Sequence, residues 1–401
     1  MLDSFIARQP IFDQMLTVIG YDLLYSSYDA DNQIFVDDEV SSSHLIVDTF
    51  MDIGFEQLVD DKLAFIRLSH NFLLKRPHLP LPQNAVVIEV FCNNPMDKEL
   101  IAAIRHLSES GYQVALDNVV NPDHTAPLAG IAHIVKVNIA EVDINKLKFL
   151  CWGFKKQRFK MSADWVTSHD VLDQCRSLGF EYFQGDFLTK PNVVRGHSMP
   201  EVSTTLIRLL SKLQSSKTEF SELEEIISQD VSLSYKFLRL INSSFYSFPR
   251  KIGSIRQGLT LLGMKEIRNW TSLLYILRVG DKPHELMIMA LFRAKMCELI
   301  MEAAKDPLAE SAFTVGLFSV LDALMDIPME EVVALLPLSD EISAALVRRE
   351  GALGAALQCV FASGMGKWEE IKYPDLGIGA IKKAYLESID WTRSLSKILI
   401  A

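Results

Sequence analysis

The pattern of this chain changes once along its length, and that change constrains the fold more than any other feature. Up to about residue 191, short β-type runs alternate with helical stretches. Segments 63–68 (LAFIRL), 85–91 (AVVIEVF), 113–116 (QVAL), 134–137 (IVKV) and 182–183 read as strands, with 97–110 and 168–178 as helices. Strands that alternate with helices pair in parallel. Several such units in series build a doubly wound sheet or a barrel, with chemistry at the C-terminal ends of the strands. From about residue 200 the strand signal stops. Leu233, Phe237, Leu240 and Ile241, then Leu286, Met289, Phe292 and Met296, recur at helical spacing. Turn residues at Asn242-Ser243-Ser244, Phe248-Pro249 and Asp281-Lys282-Pro283 cut this half into separate helices. The expected organisation is an α/β domain over 1–191, a linker over 192–200 and an all-helical domain over 201–401.

Composition narrows the partners. Of 401 residues, 49% are hydrophobic, so each half has material for a core and needs no staple. Acidic residues outnumber basic ones, 51 to 40, giving a net charge of −11 that disfavours nucleic acid and anionic lipid as partners. The five cysteines include no CxxC pair, which fits a reducing compartment. An acid, Asp3, stands where a signal peptide carries its basic flank, and the apolar stretches 286–292 and 313–321 fall short of the ~20 residues of a membrane span. A cytoplasmic location, with no nucleic-acid or membrane partner, is expected.

Charged side chains mark the ends of the strand runs. Asp22 follows LTVIGY, Glu89 lies in AVVIEVF, Asp117 closes QVAL, Lys136 sits in IVKV, Asp164 follows 161–163 and Gln184 follows Glu181-Tyr182-Phe183. Carboxylates at strand ends converge at a barrel mouth and suit a divalent cation, and a lysine among them suits a base or a phosphate contact. Taken singly, each acid is more often a turn or helix-capping residue, and only the set is suggestive.

The opening Ala7-Arg8-Gln9-Pro10-Ile11-Phe12-Asp13, then Gly20-Tyr21-Asp22-Leu23-Leu24, and the closing Gly179-Phe180-Glu181-Tyr182-Phe183-Gln184-Gly185 with Lys190-Pro191, resemble an EAL domain over roughly residues 3–191. The resemblance implies a TIM-like β/α barrel in which two metal ions activate a water that attacks one phosphodiester of cyclic di-GMP. Matched residue by residue, the family's Glu-Ala-Leu is Asp22-Leu23-Leu24 here, a metal-binding Asn is Arg67, and a loop-stabilising Glu is Cys92. The paired Asp-Asp is Asp117-Asn118, the Asp after the lysine is Asn138, and the Glu-Gly-Val-Glu run has become Asp164 through Thr167. Glu89, Lys136 and Gln184 are kept, whereas the arginine that follows the family's Glu-Ala-Leu is Ser26.

Two adjacent divalent ions need several anionic ligands, and acids are lost at Cys92, Asn118 and Thr167. Arg67 adds a permanent cation. The expectation is therefore a chain that is not an enzyme and carries no cofactor, with a vestigial site of Asp22, Arg67, Glu89, Asp117, Asn118, Lys136, Asp164, Thr167 and Gln184. In it Arg67 takes a vacated metal position and pairs with Glu89 and Asp117, or else points to solvent. The alternative is a weak phosphodiesterase using Mg²⁺ or Mn²⁺ on Asp22, Glu89 and Asp117, or a receptor that binds cyclic di-GMP without cutting it, with Trp165 or Tyr25 as stacking candidates.

The second half carries a second resemblance. Ile226-Ile227-Ser228-Gln229-Asp230-Val231-Ser232-Leu233, the Asn242-Ser243 turn and Leu262-Gly263-Met264 resemble an HDOD module, a helical relative of the HD phosphohydrolases. Where those relatives carry His-Asp, this chain has Ser319-Val320, and of its nine histidines only His284 falls in the body of this half. A histidine-rich metal centre is not expected there. Phe245, Tyr246 and Phe248 are candidates for a protein interface or for a cap on the bundle core. The whole implies a bacterial signalling protein tied to motility or biofilm control. Its barrel would serve as sensor or docking platform and its helical half would bind other signalling proteins, with a second copy of the chain as a further candidate partner.

Overall fold

The computed structural model describes residues 3–28, 34–35, 58–75, 79, 81–92, 96–190, 204–213, 218–229, 231–243, 245–246, 248, 252–278, 283–336 and 338–400. The expected linker, 192–200, lies outside them. Two compact units are present, Met1–Lys190 with Ser363–Glu369, and Pro191–Ala362 with Glu370–Ala401.

The first unit is a closed barrel. Its strands are β1 (Asp3–Phe12), β2 (Val18–Tyr28), β4 (Leu63–Leu68), β5 (Val86–Phe91), β6 (Gln113–Asp117), β7 (Ile134–Asn138), β8 (Lys160–Asp164) and β9 (Tyr182–Phe183), with a short β3 (Ile34–Phe35) added outside β2. From β2 through β9 the barrel neighbours run parallel, and β1 closes the ring antiparallel to both β2 and β9. The sequence pattern foresees the parallel strands and misses β1. That strand is half of a hairpin whose turn is made by Asp13, whose Oδ1 accepts from the backbone of Met15 and Thr17 at 2.8 and 2.9 Å.

Ile11, Phe65, Val87, Ala115 and Ile134, from β1, β4, β5, β6 and β7, form one cluster, each at most 2% exposed. Residues from five strands can meet only inside the barrel, so this cluster is its apolar filling. Side chains two apart on a strand share a face. Arg67, Glu89, Asp117 and Lys136, each two residues beyond a member of the cluster, therefore form the next layer toward the C-terminal ends.

Helices cover the outside where their sequences allow. In Lys98–Glu109, Asp97 caps the N-terminus by accepting from Leu100 N at 2.7 Å, and Leu100, Ala103, Ile104 and Leu107 are buried at 3–4-residue spacing. Full burial of each leucine or isoleucine there stabilises by roughly 1.5–3 kcal/mol.

The regular secondary structure described in the second unit is helical, apart from one isolated bridge between Tyr373 and Leu376. Helices His284–Ala303 and Ala309–Phe318 cross so closely that a Cβ on Gly316 would lie 2.3 Å from the Arg293 carbonyl oxygen and 2.6 Å from Ala294 Cα. Helix Ile255–Arg278 breaks at Gly263, whose φ of 76° and ψ of 165° a non-glycine residue rarely adopts. No single described helix is long and apolar enough to cross a bilayer.

Candidate functional site

The layer above the barrel's apolar filling is a buried ion network. Lys136, 1% exposed, donates from Nζ to Glu89 Oε1 at 2.6 Å and Asp22 Oδ2 at 3.1 Å, and lies 3.2 Å from Asp164 Oδ2. Strand register brings the groups together. Arg67 stands beside Glu89 on β4 and β5, and Asp164 pairs with Asn138, two residues past Lys136, on β7 and β8. Gln184 Nε2 donates to Asp22 Oδ2 at 3.1 Å and to Gln9 Oε1 at 2.9 Å. Gly185, next in chain, must be glycine because a Cβ there would stand 2.1 Å from the Val166 carbonyl oxygen.

Arg67 lies closer to Asp117 than to Glu89. Its Nη2 donates to Asp117 Oδ2 at 2.6 Å, whereas its Nε is 4.0 Å from Glu89 Oε2, and the guanidinium lies over the Phe91 ring at 5.9 Å. The main partner of Glu89 is Lys136. Asn118, at a positive φ of 55°, turns its backbone N–H onto Asp117 Oδ1 at 2.7 Å.

The network sets the protonation of its members. For Lys136, burial opposes the charge, but Asp164, Asp22 and Glu89 outweigh it and hold the ammonium charged well above the ordinary lysine range. A lysine so held donates hydrogen bonds and positive charge. Glu89 is pushed up by burial and by Asp22, against Lys136. Burial raises Asp164 to about 6 even with Lys136 beside it. Burial also works to raise Asp22, yet Lys136, Arg67 and the Gln184 hydrogen bond leave its carboxyl below the usual range.

Other expected positions stand apart. Asn138 caps a turn by accepting from Ala140 N at 3.2 Å and donating to Glu141 at 3.0 Å. Cys92 is buried, its Sγ turned to the Val90 carbonyl at 3.2 Å, and Thr167 is exposed. Tyr25 is 9% exposed, whereas Trp165 and Phe91 at the strand ends are 60% and 45% exposed. Two members of the site went unforeseen. Gln9 lies opposite Asp22 in the β1–β2 register, and Ser162 donates to Asp164 Oδ1 at 3.0 Å. The position of Ser162, two residues before Asp164 on the same strand face, was the available signal.

Among the described residues no three His, Cys, Asp or Glu side chains converge as a ready-made metal cage. In the barrel the carboxylates are instead ion-paired through Lys136 and Arg67. Two buried oxygens nevertheless lack any hydrogen-bond partner, Asp22 Oδ1 and Glu89 Oε2. Carboxylate oxygens of this kind are the donors a divalent ion takes, so these two fit one.

In the helical unit, Glu298 is 2% exposed between Lys265 and Lys295, at 2.8 and 2.7 Å. Ser319 donates to the Gly316 carbonyl at 2.7 Å and accepts from Arg293 at 3.3 Å. Phe245 packs on Tyr246 and Trp391 at ring separations of 5.0 and 6.0 Å, Tyr246 stacks on Phe248 at 6.0 Å, and the Tyr246 hydroxyl donates to Glu266 at 3.3 Å.

Residues 199–337 match the family model of the HDOD domain. Across its whole length the chain is 29% identical to a Vibrio cholerae protein named cyclic di-GMP phosphodiesterase CdgJ, covering 94% of that protein. A β/α barrel followed by a helical region similar to HDOD is the order that an EAL–HDOD tandem would have. It is also 29% identical to Bacillus subtilis YuxH, an uncharacterized protein, with 98% of each chain covered. Among solved structures, the EAL-domain protein YkuI of Bacillus subtilis, in complex with substrate c-di-GMP and calcium, is similar at 16% identity, covering 57% of this chain and 72% of that one, with a TM-score of 0.37.

Two expectations are corrected by these findings. The relative aligned from end to end is named as an enzyme, which overturns the reading of the tandem as noncatalytic. The expectation of no cofactor falls with it, because it rested on that noncatalytic reading. Lost acids weaken a metal site, but counting them does not reveal that Asp22 and Glu89 each keep an unpartnered oxygen.

Proposed function

We propose that the barrel is a weak, divalent-metal-dependent phosphodiesterase acting on cyclic di-GMP, and that the helical half passes the barrel's state to other signalling proteins. The observation that carries this reading is the charged layer itself, with Asp22, Glu89 and Asp164 gathered about Lys136 and Asp117 held by Arg67 at the strand ends. The whole-length likeness to CdgJ supports it. Asp22 and Glu89 would hold Mg²⁺ or Mn²⁺, which when bound would polarise the phosphodiester and acidify a water. Lys136 fixes both carboxylates and keeps its proton, so it offers charge to the phosphate's developing negative oxygens. Gln184 orients Asp22.

Incubating the full chain with cyclic di-GMP and Mn²⁺ or Mg²⁺, then separating the mixture by chromatography, tests this. Linear product that vanishes with chelator is expected, and its absence with both metals refutes the reading. Calorimetric binding without product would make the barrel a receptor. The exposed Arg67, Phe91 and Trp165 favour that second reading, since a guanidinium pairs with phosphate and aromatic faces stack bases. Control of motility or biofilm, a cytoplasmic location, and partner docking through Phe245, Tyr246 and Phe248 belong to the same proposal.

A further inference from the structure

We propose that Arg67 is a built-in replacement for one of two metal ions, so that this barrel takes a single divalent cation and presents the guanidinium as its second positive centre. This rests on the phosphodiesterase reading.

The oxygens of the charged layer decide where a cation can go. Asp117 has a protein donor on each oxygen: Oδ1 accepts from Asn118 N at 2.7 Å and Oδ2 from Arg67 at 2.6 Å. Asp164 is engaged too, with Ser162 on Oδ1 at 3.0 Å and Lys136 by Oδ2 at 3.2 Å. Asp22 and Glu89 each give one oxygen to Lys136 and leave the other, Oδ1 and Oε2, buried without a hydrogen-bond partner. Among these carboxylates the buried oxygens with no protein donor are those two, so a cation meets least competition there.

Charge gives the same count. Lys136 and Arg67 already place two positive charges in the layer, and one divalent ion adds two more. A second would make a largely buried layer strongly positive. Arg67 already holds the carboxylate that a second ion would need. Its side chain is 47% exposed, with Nη2 on Asp117 and Nε 4.0 Å from Glu89 Oε2, and its planar geometry suits a phosphate.

The test is Mn²⁺ stoichiometry on the full chain, by calorimetry together with electron paramagnetic resonance of the bound ion, for wild type, Arg67→Asn and Arg67→Lys. A single mononuclear Mn²⁺ per wild-type chain is expected. Arg67→Lys should keep that number. Arg67→Asn, which frees Asp117, should admit a second ion or tighten the first by about tenfold or more. Two ions in the wild type, an exchange-coupled pair, no bound ion at all, or an Arg67→Asn chain that folds and binds Mn²⁺ as the wild type does would each overturn the proposal. The wild-type count decides even if Arg67→Asn does not fold. Product chromatography separates the two readings. One ion with no linear product sinks the phosphodiesterase and leaves this inference, whereas two ions with product do the reverse.

Discussion

Replacing Lys136 by methionine removes the cation at the centre of the barrel layer while keeping most of its volume. Lys136 is 1% exposed and faces Glu89, Asp22 and Asp164 at 2.6–3.2 Å, all three within the protein interior. Removing one partner of a buried charge network costs about 3–5 kcal/mol, because the remaining carboxylates stay desolvated. The variant lowers that cost by taking up protons. Asp164 is already raised to about 6 from an ordinary value of 3.8, so its folded form binds a proton more readily than its unfolded form. That contribution to stability is complete below about pH 4 and is lost as pH rises through 6. Without Lys136 this carboxyl and Glu89 rise further, so the substitution should cost the full amount at pH 8 and clearly less at pH 5. Hydrogen exchange of peptides spanning Ile134–Asn138 reads the barrel separately from the helical unit. At pH 8, exchange should quicken by about two to three orders of magnitude, and the difference should narrow at pH 5 after correction for intrinsic rates. A difference below about tenfold at pH 8, or one that grows in acid, would refute the assignment of Lys136 as the counter-ion of ionised carboxylates.

Three further outcomes follow from the same geometry. Gly316→Ala puts a methyl 2.3 Å from a backbone oxygen, so a calorimetric scan should show the helical unit destabilised by about 1–3 kcal/mol, and an unchanged melting temperature contradicts the close crossing. Tyr246→Phe keeps the ring stack and loses only the 3.3 Å bond to Glu266, so urea unfolding should shift by about 1 kcal/mol or less, whereas Tyr246→Ala should cost about 2–4 kcal/mol. Should Tyr246→Ala leave stability intact and abolish capture of a partner, those aromatics are an interface and not a cap. Glu298→Gln leaves Lys265 and Lys295 without their shared counter-ion. Because both lysines are partly exposed, the expected loss is only about 1–2 kcal/mol, read by urea titration, and no loss would mean that water already serves them.

Strands buried on both faces announce themselves in sequence, which is why β4 to β7 were legible as apolar runs. β1 was not, because Ala7-Arg8-Gln9-Pro10 is broken by polar residues that a hairpin tolerates. The site residues were legible by type and by resemblance, since each sits at a strand end, but their pairing was not. Lys136 meets Asp22 across 114 positions of sequence and Glu89 across 47, and only barrel closure brings them together. The same limit explains the error over catalysis. Reading lost acids one by one treats each carboxylate as interchangeable, whereas the structure divides them into two kinds. Asp117 and Asp164 are satisfied by protein donors, while Asp22 and Glu89 retain oxygens that a cation can use. What such a site can bind therefore depends less on how many acids survive than on which of their oxygens the fold has left without a donor.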